Sequence, residues 1–66
     1  MIFETISRWC EKKNITIKQL EQKAGLKNGA IGKWKTSSPT LKNLEKVADE
    51  LGLSVNTLIR EAKKNE

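Results

Sequence analysis

The sequence has no histidine, one cysteine (Cys10) and one proline (Pro39). Without histidine and with a lone thiol, a disulfide framework and a His/Cys zinc site are both excluded. The same scarcity removes a cysteine–base pair. No metal cluster or phosphate-cradling loop takes its place, so an enzyme is not expected, nor is a cofactor or metal. No apolar run approaches the ~20 residues that span a bilayer. The start, Met-Ile-Phe-Glu, has neither a basic n-region nor a long apolar stretch, so neither a signal peptide nor a membrane partner is expected. A single reduced thiol fits the cytoplasm. A chain of 66 residues is expected to form one domain, 1–66, near the lower limit for an unaided core. It has no room for a substrate cleft walled on all sides.

What is present is helix-forming: Lys, Leu, Glu, Ala and Ile abound, which points to an all-α fold. The net charge of +5 is unevenly spread. Between Lys12 and Lys46 nine lysines face two glutamates, a net +7, and the remainder of the chain carries −2. A basic middle is compatible with a merely solvated face, but its coincidence with the motif described next suits an anionic polymer.

Apolar residues at 2, 3, 6, 9 and 10 have a helical period over Ile2 to Lys13, with Asn14 as a left-handed cap. Thr16 is a helix N-cap, Gln19 completes a capping box, and Ile15 can staple to Leu20. That second helix runs to about Ala24, and Gly25 supplies the positive φ of a sharp turn. A third helix is expected from Lys27 or Asn28 to Lys35, with Ile31 and Trp34 inward and Lys27, Asn28, Gly29, Gly32 and Lys33 outward. Its two glycines cost about 1 kcal/mol each relative to alanine. Either the backbone presses into a groove there, or the preceding helix approaches closely at Gly32. Thr36 to Thr40 is a loop. Thr40 caps a helix from Leu41 to Leu51 whose stripe is Leu41, Leu44, Val47, Ala48 and Leu51, and Gly52 stops it. Ser54 caps a last short helix that buries Val55, Leu58 and Ile59, and the charged residues 60–66 are expected to fray. Trp9 and Trp34 read as core residues, and Cys10 as a small buried apolar one. Residues 16–35 thus read as a helix-turn-helix.

The landmarks Leu20, Gly25, Ile31, Pro39, Leu44, Val47, Ala48, Leu51, Leu53 and Ser54, at their spacing over residues 2 to 60, resemble the Cro/repressor-type (Xre-like, lambda-repressor-like) helix-turn-helix family. A narrower similarity lies in Leu20, Glu21, Gly25, Asn28, Gly29, Ile31, Lys33, Trp34 and Lys35, which resemble a subgroup common in Gram-positive bacteria and their phages. The resemblance implies a five-helix lambda-repressor-like domain with a central helix-turn-helix. Cys10 and Lys35 stand where many members carry an Arg/Glu pair, so that ion pair is expected to be absent, both partners replaced together. Lys27 and Gly32 stand where hydroxyl residues are usual. Those two departures bear on the start and stiffness of the third helix.

The resemblance further implies a sequence-specific regulator of double-stranded DNA, a repressor or Cro-like switch protein that reads a near-palindromic operator through its third helix. By position, Lys27, Asn28, Gly29 and Lys33 would meet bases: Asn28 an adenine, Lys33 a guanine, Lys27 a base or a phosphate, and Gly29 by backbone proximity. Phosphates would be held by Thr16, Ile17 and Lys18 at the start of the second helix, and by Lys35, Thr36, Thr40, Lys42 and Asn43 on the other side. For Thr16 and Thr40, plain capping is the simpler reading, and both roles are compatible. A homodimer, at least on DNA, would pair through Val55, Asn56, Thr57 and Leu58. The competing reading is a protein-interaction module, such as an antitoxin or anti-repressor, which the fold alone does not exclude.

Overall fold

Helices form where the apolar period and the capping residues place them. In the computed structural model, which describes residues 2–64, they are α1 (Ile2–Lys13), α2 (Ile17–Lys23), α3 (Leu41–Leu51) and α4 (Val55–Lys64). A 3-10 segment, Gly32–Lys35, lies between α2 and α3, and there is no strand among the described residues.

The local signals act as expected. Asn14 ends α1 with φ 59°. At α2 the capping box is complete: the Gln19 N–H donates to Thr16 Oγ1 at 3.0 Å, and the Thr16 N–H donates to Gln19 Oε1 at 2.9 Å. Gly25 follows with φ 74°. Thr40 Oγ1 accepts the Asn43 N–H at 3.2 Å, and Ser54 Oγ accepts the Thr57 N–H at 3.1 Å, so α3 and α4 are capped by the same device. Gly52 closes α3 in the left-handed region at φ 72°. Helix α4 continues through Lys64, so the charged residues 60–64 are helical; Asn65 and Glu66 lie outside the described residues.

The expected third α-helix is absent, and with it the count of five. Residues 28–31 form a turn and only Gly32–Lys35 winds, as 3-10 helix. Gly29 has φ 88°, a value an α-helix does not admit. Lys27 has no hydroxyl with which to start one. Two of the bonds that form instead run three residues back, Ala30 N–H to the Lys27 carbonyl at 3.0 Å and Trp34 N–H to the Ile31 carbonyl at 2.9 Å, and a longer one, Lys33 N–H to the Gly29 carbonyl at 3.3 Å, runs four. Side chains three apart eclipse in a 3-10 helix. Ile31 and Trp34 therefore still point inward together, as the spacing predicts, and both are buried.

The core draws on every element. Ile6, Leu20, Ile31, Val47, Leu51 and Leu58 are fully or almost fully buried, each stabilising the fold by about 1.5–3 kcal/mol relative to exposure. Helix α1 packs on α4, on the 3-10 segment and on α2; α3 joins α2 to α4. Cys10 is buried, and desolvation pushes its thiol pKa up, which keeps it protonated and unreactive. Two expected core residues are exposed, and a third, Trp9, packs against the core without being fully buried. Leu41, in the first turn of α3, is 63% exposed, and Ile59 is 37% exposed. Trp9 is half-buried because its indole N–H reaches out to Glu61 Oε1 at 2.6 Å, tying α1 to α4, and the Lys12 ammonium lies 4.9 Å over its ring.

Candidate nucleic-acid interface

The turn after α2 is organised by a residue of α2 itself. Glu21 is only 3% exposed, and its carboxylate accepts two backbone N–H groups from the turn. Oε1 accepts from Gly29 at 3.0 Å, and Oε2 accepts from Ile31 at 2.8 Å. A buried carboxylate is costly unless its lone pairs are engaged, and bonds from N–H to an ionised oxygen are about twice as strong as neutral ones. Two such bonds, spaced two residues apart, hold the 29–31 segment against α2. The Gly29 carbonyl then accepts the Lys33 N–H at 3.3 Å, which carries the constraint into the 3-10 segment.

Beside this turn lies an open groove of about 610 Å³. One wall comes from the turn, with Lys27, Asn28, Ala30 and Lys33; the other comes from the loop and α3, with Ser37, Ser38, Thr40, Asn43 and Lys46. Three lysines, two side-chain amides and three hydroxyls thus face one concavity. The structure brings together Lys27, Asn28 and Lys33 from the expected base contacts with Thr40 and Asn43 from the expected phosphate contacts. Asn28 and Lys33 share this groove through the turn and the 3-10 winding, not through one face of an α-helix. Gly29 is exposed, and it is required for its positive φ. At Gly32 an added Cβ would meet no atom within 4 Å, so close approach of α2 is not its reason.

The other expected phosphate contacts do not line the groove. Thr16 and Lys18 are exposed and Ile17 half-buried at the start of α2, where the Thr16 hydroxyl is engaged as the cap. Thr36 is exposed, and its hydroxyl donates to the Lys33 carbonyl at 3.4 Å; Lys42 is exposed on α3. Lys35 is turned toward α1, its ammonium 4.9 Å over the Phe3 ring. With Cys10 buried and Lys35 on Phe3, no Arg/Glu-type pair forms between those two positions. Among the expected subunit contacts, Val55 and Thr57 are half-buried and Asn56 is exposed. Leu58 is fully buried in the chain's own core, so its side chain is not at the surface to meet a second copy.

Sequence reasoning missed Ser37, Ser38 and Lys46 in the groove, and Glu21 beneath it. Lys46 was within reach, since it stands three residues from Asn43 on one helix face. The Asn28-Gly29 pair is itself a turn signal that outweighs a helix assignment there. Glu21 had no local signal, because its partners lie eight and ten residues away.

The described residues hold no group of three or more His, Cys, Asp or Glu side chains placed to bind a metal, and no helix long and apolar enough to cross a membrane. Residues 5–58 match a family model described as helix-turn-helix. No curated protein and no solved structure matches the chain significantly.

Proposed function

The chain belongs to the Cro/repressor-type (Xre-like) helix-turn-helix family of DNA-binding regulators, and on that premise we propose that it is a sequence-specific repressor or Cro-like switch protein. It reads a near-palindromic operator with the turn and 3-10 segment, and it belongs to the Gram-positive phage-like branch of the family. The observation that carries this reading is the groove, where Lys27, Lys33 and Lys46 stand with the Asn28 and Asn43 amides around one concavity. Cations on both walls suit a polyanion, and the amide offers paired donor and acceptor to an adenine edge.

The roles divide by position. Asn28 and Lys33 read bases, Lys27 meets a base or a phosphate, and Gly29 brings backbone close to the duplex. Thr40, Asn43 and Lys46 hold phosphates on one side. Thr16, Ile17, Lys18, Lys35, Thr36 and Lys42 supply further backbone contacts, and Lys35 must leave the Phe3 ring to do so. Residues 16–35 act as the helix-turn-helix unit of a single domain. Two copies pair on the operator through Val55, Asn56 and Thr57. On this reading the protein is a binder and not a catalyst, and DNA recognition by these side chains needs no cofactor.

The test is a titration of random duplex and of an operator selected from random DNA, across several salt concentrations. Binding should weaken with a log–log slope of ~0.9 per phosphate neutralised. Lys33→Ala should cost ~1–3 kcal/mol at one base pair of the operator. Salt-independent binding, or none to either duplex, would overturn the reading.

A further inference from the structure

Lys27 precedes the turn and, unlike Thr16, Thr40 and Ser54 before the helices, has no side-chain acceptor for the N–H groups that follow it. Two of those N–H groups are taken by Glu21 instead: Oε1 accepts from Gly29 and Oε2 from Ile31. The carboxylate does from inside the fold what a cap does from along the chain. Both candidate base readers are attached to the residue it holds: Asn28 precedes Gly29 directly, and the Lys33 N–H bonds the Gly29 carbonyl. The phosphate candidates on the opposite wall have their own support, since Thr40 caps α3 independently.

We propose that Glu21 is a positioning residue for sequence recognition, and that its two carboxylate oxygens set the angle at which Asn28 and Lys33 meet base edges. The proposal rests on the DNA-reading function given above. Recognition needs paired donors and acceptors to align with a base edge, whereas a lysine reaches a phosphate from many geometries. Loosening the turn therefore removes discrimination and spares non-specific affinity. Glutamine is no substitute, although it has the same shape. It offers one oxygen, and its amide NH2 would face a backbone N–H, donor against donor.

The test uses Glu21→Ala and Glu21→Gln in the full chain, with two readouts. The near-isosteric Gln variant keeps the test open if the Ala variant does not fold. In the free protein, amide hydrogen exchange at Gly29 and Ile31 should quicken about tenfold or more in both variants relative to Val47 and Leu51. On DNA, the ratio of operator affinity to random-duplex affinity should fall about tenfold, with random-duplex affinity changed less than about twofold. Unchanged exchange at Gly29 and Ile31 would overturn the proposal. So would equal losses on both duplexes, or a Gln variant that discriminates like the wild type. If the wild type binds no DNA, the functional reading falls and this proposal with it. The exchange data then still report the carboxylate–turn contact, so the two failures are told apart.

Discussion

Helix α2 and the turn that follows it solve the same problem in opposite ways. Each begins with backbone N–H groups that have no partner within the element. At α2 the partner is local: Thr16 and Gln19, three residues apart, satisfy each other's backbone. At the turn the partner is remote: Glu21 reaches Gly29 and Ile31 across eight and ten residues, from inside the core. A local cap is exposed to water and can be replaced by it. A remote, buried cap leaves a buried Ile31 N–H with nothing in its place. The comparison predicts that the turn depends on one side chain far more than α2 does.

Substitutions that sharpen this contrast should fall in a definite order. Glu21→Ala should cost the most, about 2–3 kcal/mol in denaturant unfolding, because two charge-assisted bonds go at once. Gly29→Ala comes next. An added Cβ would touch nothing within 4 Å, so the whole cost is that of holding φ 88° without glycine, about 1–2 kcal/mol in the same assay. Thr16→Ala should cost about 1 kcal/mol, and Thr16→Ser should stay within a few tenths of wild type. Gly32→Ala should be the mildest, neutral or stabilising by about 0.4–1 kcal/mol in thermal unfolding. Its position has room for a methyl group and no positive φ. If Thr16→Ala proved costlier than Glu21→Ala, the contrast between local and remote capping would be wrong.

The same contrast explains what was legible in the sequence. Asn14, Thr16, Gly25, Thr40, Gly52 and Ser54 act through neighbours within a few residues, and each was placed correctly from its local pattern. The bounds of α1 and α3 followed from them. The all-helical architecture was readable for the same reason, as was the inward pairing of Ile31 with Trp34. The third helix was misread because an apolar spacing of three fits α and 3-10 winding alike, and the deciding term was the φ of Gly29. Ile59 and Leu41 were misread because a stripe on one helix does not say how far its neighbour extends to cover it. At the groove, Lys27, Asn28, Lys33, Thr40 and Asn43 are candidates by their place in the motif, whereas Lys46 and the two serines come in only with the loop's path. The burial of Leu58 follows from its place on the stripe of α4, and that burial removes its side chain from the subunit contact to which the resemblance also assigned it.

The central claim is that DNA is met by the groove between the turn and α3. It is tested most directly by titrating isotope-labelled protein with the selected operator duplex and mapping the amide shift changes. The account predicts the largest changes at residues 27–33, at Thr40 to Asn43 and at Lys46. Changes confined to the α1–α4 surface around Arg8, Trp9, Lys12, Glu61 and Lys64, with the groove unaffected, would contradict it.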